Sequence, residues 1–519
     1  MFTSLGALLT QVAKKFPSKV AVEEEGKQIS YQELDSYSHK IASYLLSMGD
    51  LSPDDKVGLY INKSINGIAA FFGILKAGCA YVPLDLNWPP KRCAYIIDEC
   101  RIKYLFSHSH YAGRVSEISK LSSCLKNTIF LDKDASGVES VSLRSLPDIG
   151  KDSLAVVFYT SGSTGKPKGV MKTHQAEIRH LAITTRSHRK IAYSISKNDR
   201  HALYYPFSFC GSLTDMLLMI QCAATICILP EGTCSFVLTF KESIRQKRVT
   251  ILKVGSELLR WLVLHGDLSC NEFPDLRMII FSGSNFPPKY LHFLMNTLPK
   301  VKYLQNYGST EAGIVTYYPV RKQLLQKQAF IPIGKPGIGI RSFIADEKGR
   351  RLKEKLGVEG ELYIDSPALM LGYLNDPQAT QSALFKDPFT GTHRFVYRSG
   401  DLVRIDREGN YIYLGRCDNM VKVRGFRVNL EEIESVLQKH PKIKEAVCLG
   451  VPDEEMGNRI KAVVVLKGGE SAKDEELKSF CRDYLATYMV PESFDFKDSL
   501  PWTPSAKIDR VKIYKEVEA

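Results

Sequence analysis

The densest run of chemistry-bearing residues is Ala155–Val170, AVVFYTSGSTGKPKGV, where an apolar stretch passes into Thr160, Ser161, Gly162, Ser163, Thr164 and Gly165, with Lys166 and Lys168 beyond. Glycines let the backbone turn N–H groups toward one point, hydroxyls add donors and lysines add charge, so the string suits a phosphate-like anion. It departs from G-x-x-x-x-G-K-[ST], because proline follows Lys166 where that pattern has Ser or Thr, and the ordinary Walker fold is disfavoured. A Gly/Ser/Thr string alone is often a flexible turn, but the apolar strand feeding this one argues for a built loop.

Such a loop needs a sheet to hold it. From Lys19 to about residue 130, β-rich runs (KVAVEEEG, KVGLYI, YLFSHS, TIFL) alternate with helical patterns such as YQELDSYSHKIASYLLSMG, as βαβ units of a parallel sheet do. The rhythm returns in AVVFYT, ICILP, TILKV and MIIFSGS, so two α/β layers are expected before residue 330. GELYID, FVYRSGD and REGNYIYLG then predict a small β-rich subdomain, and the helix and strand patterns after Gly415 predict a compact α+β unit. The expected class is α/β: residues 1–415 form a large N-terminal domain of two βαβ-layered subdomains plus the β-rich one, and residues 416–519 form a small mobile C-terminal domain.

Composition narrows the class. A chain of 519 residues with 44% hydrophobic and 24% charged residues should bury several cores. The excess of 70 Lys+Arg over 57 Asp+Glu suits an anionic ligand or an acidic partner, yet no basic stripe interleaved with aromatics points to nucleic acid. Twelve cysteines without a C-x-x-C pair read as reduced, mostly buried thiols. The N-terminal residues suit an amphipathic helix rather than a leader, and no apolar run is long enough for a membrane span, so a cytoplasmic protein is expected.

TSGSTGKPKGV resembles the signature loop of the adenylate-forming enzymes, the group of acyl-CoA synthetases, luciferases and peptide-synthetase adenylation domains. Further matching strings follow in the family's order: ISYQELD, LKAGCAYVPLD, NYGSTEAG, GELYIDSPALMLGYLNDP, YRSGDLVR, GRCDNMVKVRGFRVNLEEIE and PSAKIDR. The forms LKAGCAYVPLD and VKVRGFRV are most similar to stand-alone peptide-synthetase adenylation domains.

The resemblance implies ATP and Mg2+ as cofactors and a first step in which a carboxylate attacks the α-phosphate of ATP. It implies that Tyr307 stacks on adenine, with Gly283, Ser284, Asn306, Gly308 and Ser309 around it. Thr310 contacts the α-phosphate, Thr164 lies near phosphate or metal, and Glu311 holds Mg2+ as a hard oxygen ligand. Asp401 takes the ribose hydroxyls and Arg416 supports that side. Lys507 is the catalytic lysine, Asp418 the hinge about which the small domain turns, and Lys422 and Gly425 line a tunnel for a phosphopantetheine arm.

For the acid, the resemblance implies a pocket of His174 at its mouth, Phe209, Cys210, Gly211, Thr214, Lys253, Ile280, Ser282, Ile314 and Val315. Cys210 stands where amino-acid-activating relatives carry an ammonium-binding Asp, and a neutral thiol cannot pair with an ammonium. Either an amino acid held unusually or an acid lacking the α-amino group is implied; Lys253 and Thr214 point to a polar or acidic substrate end. The expected acceptor is a separate carrier protein bearing phosphopantetheine. Coenzyme A and a non-catalytic nucleotide-binding or carrier-docking module are the alternatives.

Overall fold

A computed structural model describes the chain except residues 1, 162–166, 234–235, 284–285, 323–329, 354, 387–394, 418–419, 454–456, 502–509 and 519. Among the described residues, a seven-stranded sheet runs in the order Gly372–Tyr373, Lys168–Thr173, Leu154–Thr160, Ala80–Pro83, Lys56–Tyr60, Tyr104–Ser107 and Asn127–Phe130. A nine-stranded sheet has Lys302–Ser309, Met278–Ser282, Ile251–Gly255, Arg200–Leu203 and Thr225–Ile228 as its parallel centre. These are the two expected α/β layers.

Helices fill the space between the sheets. Ile65–Lys76 is buried almost all round, which explains why its sequence INGIAAFFGILK has no polar face. Its one cation, Lys76, is neutralised by Asp35 at 2.5 Å. ISYQELD is a fold signature rather than a chemical one. Ser30 accepts the N–H of Glu33 while Glu33 takes that of Ser30, a capping box that starts helix Tyr31–Ser47.

One strand lies away from its sequence neighbours. Val20–Glu24 pairs in parallel with Thr225–Ile228, so it joins the second sheet and not the first. Local periodicity shows that a strand exists but not which sheet receives it.

Arg341–Ala345, Glu359–Asp365, Leu384–Lys386, Phe395–Ile405 and Tyr411–Arg416 form the β-rich subdomain. Arg416, where the C-terminal domain is expected to begin, is the last residue of that sheet, directly opposite Asp401. Beyond it come a hairpin, Met420–Val423 and Phe426–Asn429, then helix Leu430–Leu437 and a three-stranded sheet with two helices. The described cysteines are all free, and among them Cys270 and Cys417 are exposed. No described helix is long and apolar enough to cross a membrane.

Candidate active site

The parallel strands of the second sheet end at a common cleft, as ligand sites in open α/β sheets do. A cavity of about 170 Å³ opens there, bounded by the β-rich subdomain on one side and the 420–429 hairpin on another. It gathers Phe209, Cys210, Gly211, Thr214, Lys253, Ser282, Gly283, Asn306, Tyr307, Gly308, Ser309, Thr310, Ile314, Asp401, Arg416, Lys422 and Gly425. Residues far apart in the chain are thus brought together.

One end is built for a polar planar ligand. Tyr307 is buried and donates its hydroxyl to Asp401, whose other oxygen receives Arg416 Nη1 at 2.6 Å. Burial and then the neighbouring Asp401 carboxylate push the Tyr307 hydroxyl far above its ordinary range, so it stays protonated and donating. Asn306 is 3% exposed, and among the described residues neither end of its amide has a hydrogen-bond partner. A buried amide with both ends unsatisfied fits the edge of a base that donates and accepts. Gly308 is obligatory, since a methyl group there would stand 2.2 Å from the Gly313 carbonyl oxygen.

At the seam, Thr310 Oγ1 donates to Cys210 Sγ at 3.3 Å. Burial pushes the Cys210 thiol up, so it is neutral at physiological pH. Beside it, Glu311 is 1% exposed and receives Arg427 Nη1 at 3.1 and 3.3 Å and the Tyr373 hydroxyl at 3.0 Å. Burial raises the Glu311 carboxyl, but the Arg427 charge and the hydrogen bonds of its own backbone N–H, Tyr373 and Ser309 together outweigh it and hold the group ionised. A buried carboxylate already carrying a cation fits a metal-ligand role, with Arg427 standing in the cation's place.

The other end is lined by Phe209, stacked on Tyr205 with ring centroids 4.5 Å apart, and by Gly211, Thr214 and Ile314. Lys253 is paired at 2.6 Å with Asp215, which also faces His201 at 3.4 Å. Lys253 therefore reaches the cavity with its charge already largely matched.

Three expected pocket residues lie elsewhere. His174 is fully buried at the start of helix His174–Lys190, where its Nδ1 accepts the Leu5 N–H at 3.2 Å; it pins the N-terminal helix. Val315 follows Ile314, and the alternation of a strand turns it into the core. Ile280 shares a face with Ser282 but lies two residues back from the strand's end, packed with Tyr193, Leu304 and Tyr317. Thr160 and Ser161 line an adjoining smaller cavity, in which Ser161 Oγ donates to the Arg427 carbonyl at 2.6 Å and accepts the Asn429 N–H at 3.1 Å. Lys168 Nζ lies 5.4 Å over the Tyr373 ring. Gly162, Ser163, Thr164, Gly165, Ser284, Asp418 and Lys507 lie outside the described residues.

Sequence reading missed Arg427, Tyr373, and a buried set in which Glu177 meets Lys172 at 3.3 Å and His180 at 3.4 Å. Burial raises the Glu177 carboxyl, but Lys172 and His180 outweigh it and hold it at about 2. The i,i+3 spacing of Glu177 and His180 was the available signal. His180 in turn accepts the Ile314 N–H at 2.9 Å, fixing one wall of the cavity.

Residues 9–374 match the model of the AMP-binding enzyme family, and residues 432–507 match the AMP-binding enzyme C-terminal domain. The chain belongs to the AMP-binding enzymes. Among these, it is 31% identical over 508 residues to tyrocidine synthase 1 of Brevibacillus parabrevis, a match covering 98% of this chain but only 44% of that much longer protein. It is 32% identical to zwittermicin A synthase ZmaJ of Bacillus cereus, covering 98% of this chain and 94% of that one. An artificially fused adenylation–PCP di-domain NRPS from Klebsiella oxytoca has the same fold, with a TM-score of 0.81 at 22% identity, covering 95% of this chain and 94% of that one. The structure thus sets the Tyr307–Asp401 pair and the Cys210–Thr310 seam in an AMP-binding enzyme framework.

Proposed function

We propose that this chain uses ATP to activate a small carboxylic or amino acid as its acyl-AMP, releasing pyrophosphate, and then passes the acyl group to the phosphopantetheine thiol of a separate carrier protein. The observation that carries this is the contact between Thr310 and Cys210 at 3.3 Å, where the nucleotide end of the cavity meets its acid end. An acid seated over Cys210 lies beside a phosphate held at Thr310, the proximity that an in-line displacement requires. One carboxylate oxygen bonds to the α-phosphorus as the bond to the pyrophosphate oxygen breaks. In the second step the thiol sulfur bonds to the acyl carbon, AMP leaves with the bonding pair, and the thiol proton passes to solvent.

In this reading Asn306 and Tyr307 receive the adenine and Asp401, braced by Arg416, the ribose. Glu311 would hold Mg2+, which supplies neutralising charge for the phosphates. Lys507 and Thr164 are assigned to the adenylation step from their motifs, and residues 416–519 to a domain that turns about Asp418. The neutral Cys210, together with the engagement of Glu177 by Lys172 and His180 and of Asp401 by Tyr307 and Arg416, favours an acid without an α-ammonium group.

Incubating the chain with ATP, Mg2+ and a panel of amino, hydroxy, dicarboxylic and aryl acids, followed by mass analysis, tests the reading. An acyl-AMP from one acid class, and an acylated carrier protein once one is added, is the expected result. Bound ATP with no acyl-AMP from any class would favour a binding module.

A further inference from the structure

Glu257 sits in the first turn of helix Ser256–His265, is 7% exposed, and has neither carboxylate oxygen in a hydrogen bond among the described residues. Burying a carboxylate without a partner is costly, and such groups are retained where a ligand completes them. Three glycines lie against it. Methyl groups built on Gly283 and Gly425 would stand 3.6 and 3.4 Å from Oε2, and one on Gly457 would stand 3.2 Å from Oε1. All three glycines have positive φ, +114°, +82° and +81°, so other residues are disfavoured there by conformation.

These glycines come from both sides of the cleft, Gly283 after the Met278–Ser282 strand and Gly425 at the tip of the 420–429 hairpin. Gly283 and Gly425 also line the main cavity. The nearby cation, Lys422, spends its ammonium on the Gly283 carbonyl, and burial lowers its pKa while the charges of Asp401 and Glu257 oppose that shift. Lys422 thus balances Glu257 from a distance without bonding it.

We infer that Glu257 is a positioning residue for the thiol arm: its carboxylate accepts an amide N–H of a slender thiol-bearing chain threaded between Gly283 and Gly425. The ligand class is a neutral, unbranched thiol carrying secondary amides, as phosphopantetheine does. A carboxylate is the stronger acceptor for such a donor, and the nearest atom facing both Gly283 and Gly425 is Oε2 of Glu257, so a chain that passes these glycines meets that oxygen. This assignment rests on the thiol-transfer step proposed above.

The test is the ratio of transfer rates from acyl-adenylate to pantetheine and to 2-mercaptoethanol, which lacks amides, measured in wild type and in Glu257→Gln and Glu257→Met. Because both thiols consume the same adenylate, the ratio is independent of the first half-reaction. The expected result is a fall of about ten- to hundred-fold in the pantetheine preference, carried by KM, while Glu257→Met melts at or above the wild-type temperature because an unpaired buried charge is gone. An unchanged ratio with a lowered melting temperature would make Glu257 a structural counter-charge and overturn the inference. A wild type that forms no acyl-adenylate overturns the underlying reading, and this inference with it.

Discussion

Arg427, from the C-terminal hairpin, places its guanidinium Nη1 3.1 and 3.3 Å from the two oxygens of Glu311 in the second sheet's loop. On the proposed reading, the same buried carboxylate would serve both an arginine of one unit and Mg2+. The two would compete for it, since both are cations and repel one another, and the Tyr373 hydroxyl already takes part of its acceptor capacity. Mg2+ with a non-hydrolysable ATP analogue is therefore expected to loosen the hairpin, raising hydrogen exchange of the 420–429 amides. The analogue without metal should raise it less, and Arg427→Ala should raise it without either. Equal protection in all these states would contradict the competition.

Asp401 joins Tyr307 to Arg416, whose side chain is 7% exposed. Replacing Asp401 by Asn removes a charged acceptor of a kind worth about 1.5–3 kcal/mol, which converts to a roughly ten- to hundred-fold weaker affinity for ATP. Asp401→Ala also breaks the buried ion pair with Arg416 and should lose stability besides, by up to about 3–5 kcal/mol. Nucleotide titration and chemical denaturation of the two variants separate these effects.

On the proposed reading, the neutral thiol at Cys210 would set which acid binds. Cys210→Asp puts a carboxylate beside Thr310, whose hydroxyl lies 3.3 Å from the present sulfur, and an α-ammonium could pair with it there. The variant is expected to gain acyl-AMP formation with α-amino acids and to lose it with the acid that wild type prefers. Competition between the two acid classes in one mixture, read by mass, checks this directly.

Acid should loosen the N-terminal helix. Burial lowers His174 to about 4, against an ordinary 6.5, because its ring is enclosed; its Nδ1 accepts the Leu5 N–H. The folded state therefore binds fewer protons than the unfolded one between those values, and stability falls as pH drops from about 6.5 to about 4. The loss from this site is roughly 3 kcal/mol at full extent. His174→Gln, which keeps an acceptor but cannot take the proton, should flatten part of that decline in denaturation curves; an unchanged slope would show that other groups cause it.

The fold was largely legible because strand and helix periodicities are local, as the Ser30–Glu33 capping box and the apolar Ile65–Lys76 helix illustrate. The destination of Val20–Glu24 was not, because its partner Thr225–Ile228 lies far along the chain. Tyr307, Asp401 and Arg416, which come from three separate motifs, meet in one hydrogen-bonded set. Errors came where a motif neighbour was taken for a lining residue. Val315 points away by strand alternation, and His174 is used by Leu5. Arg427 stands within VKVRGFRV, but nothing local shows that it meets a carboxylate 116 positions earlier.

Acid activation at the Cys210–Thr310 seam is read most directly by acid-dependent exchange of labelled pyrophosphate into ATP. With Mg2+ present, exchange is predicted for one acid class, abolished or severely slowed in Lys507→Ala. Absence of exchange across amino, hydroxy, dicarboxylic and aryl acids, with ATP still bound, would contradict acid activation by this chain.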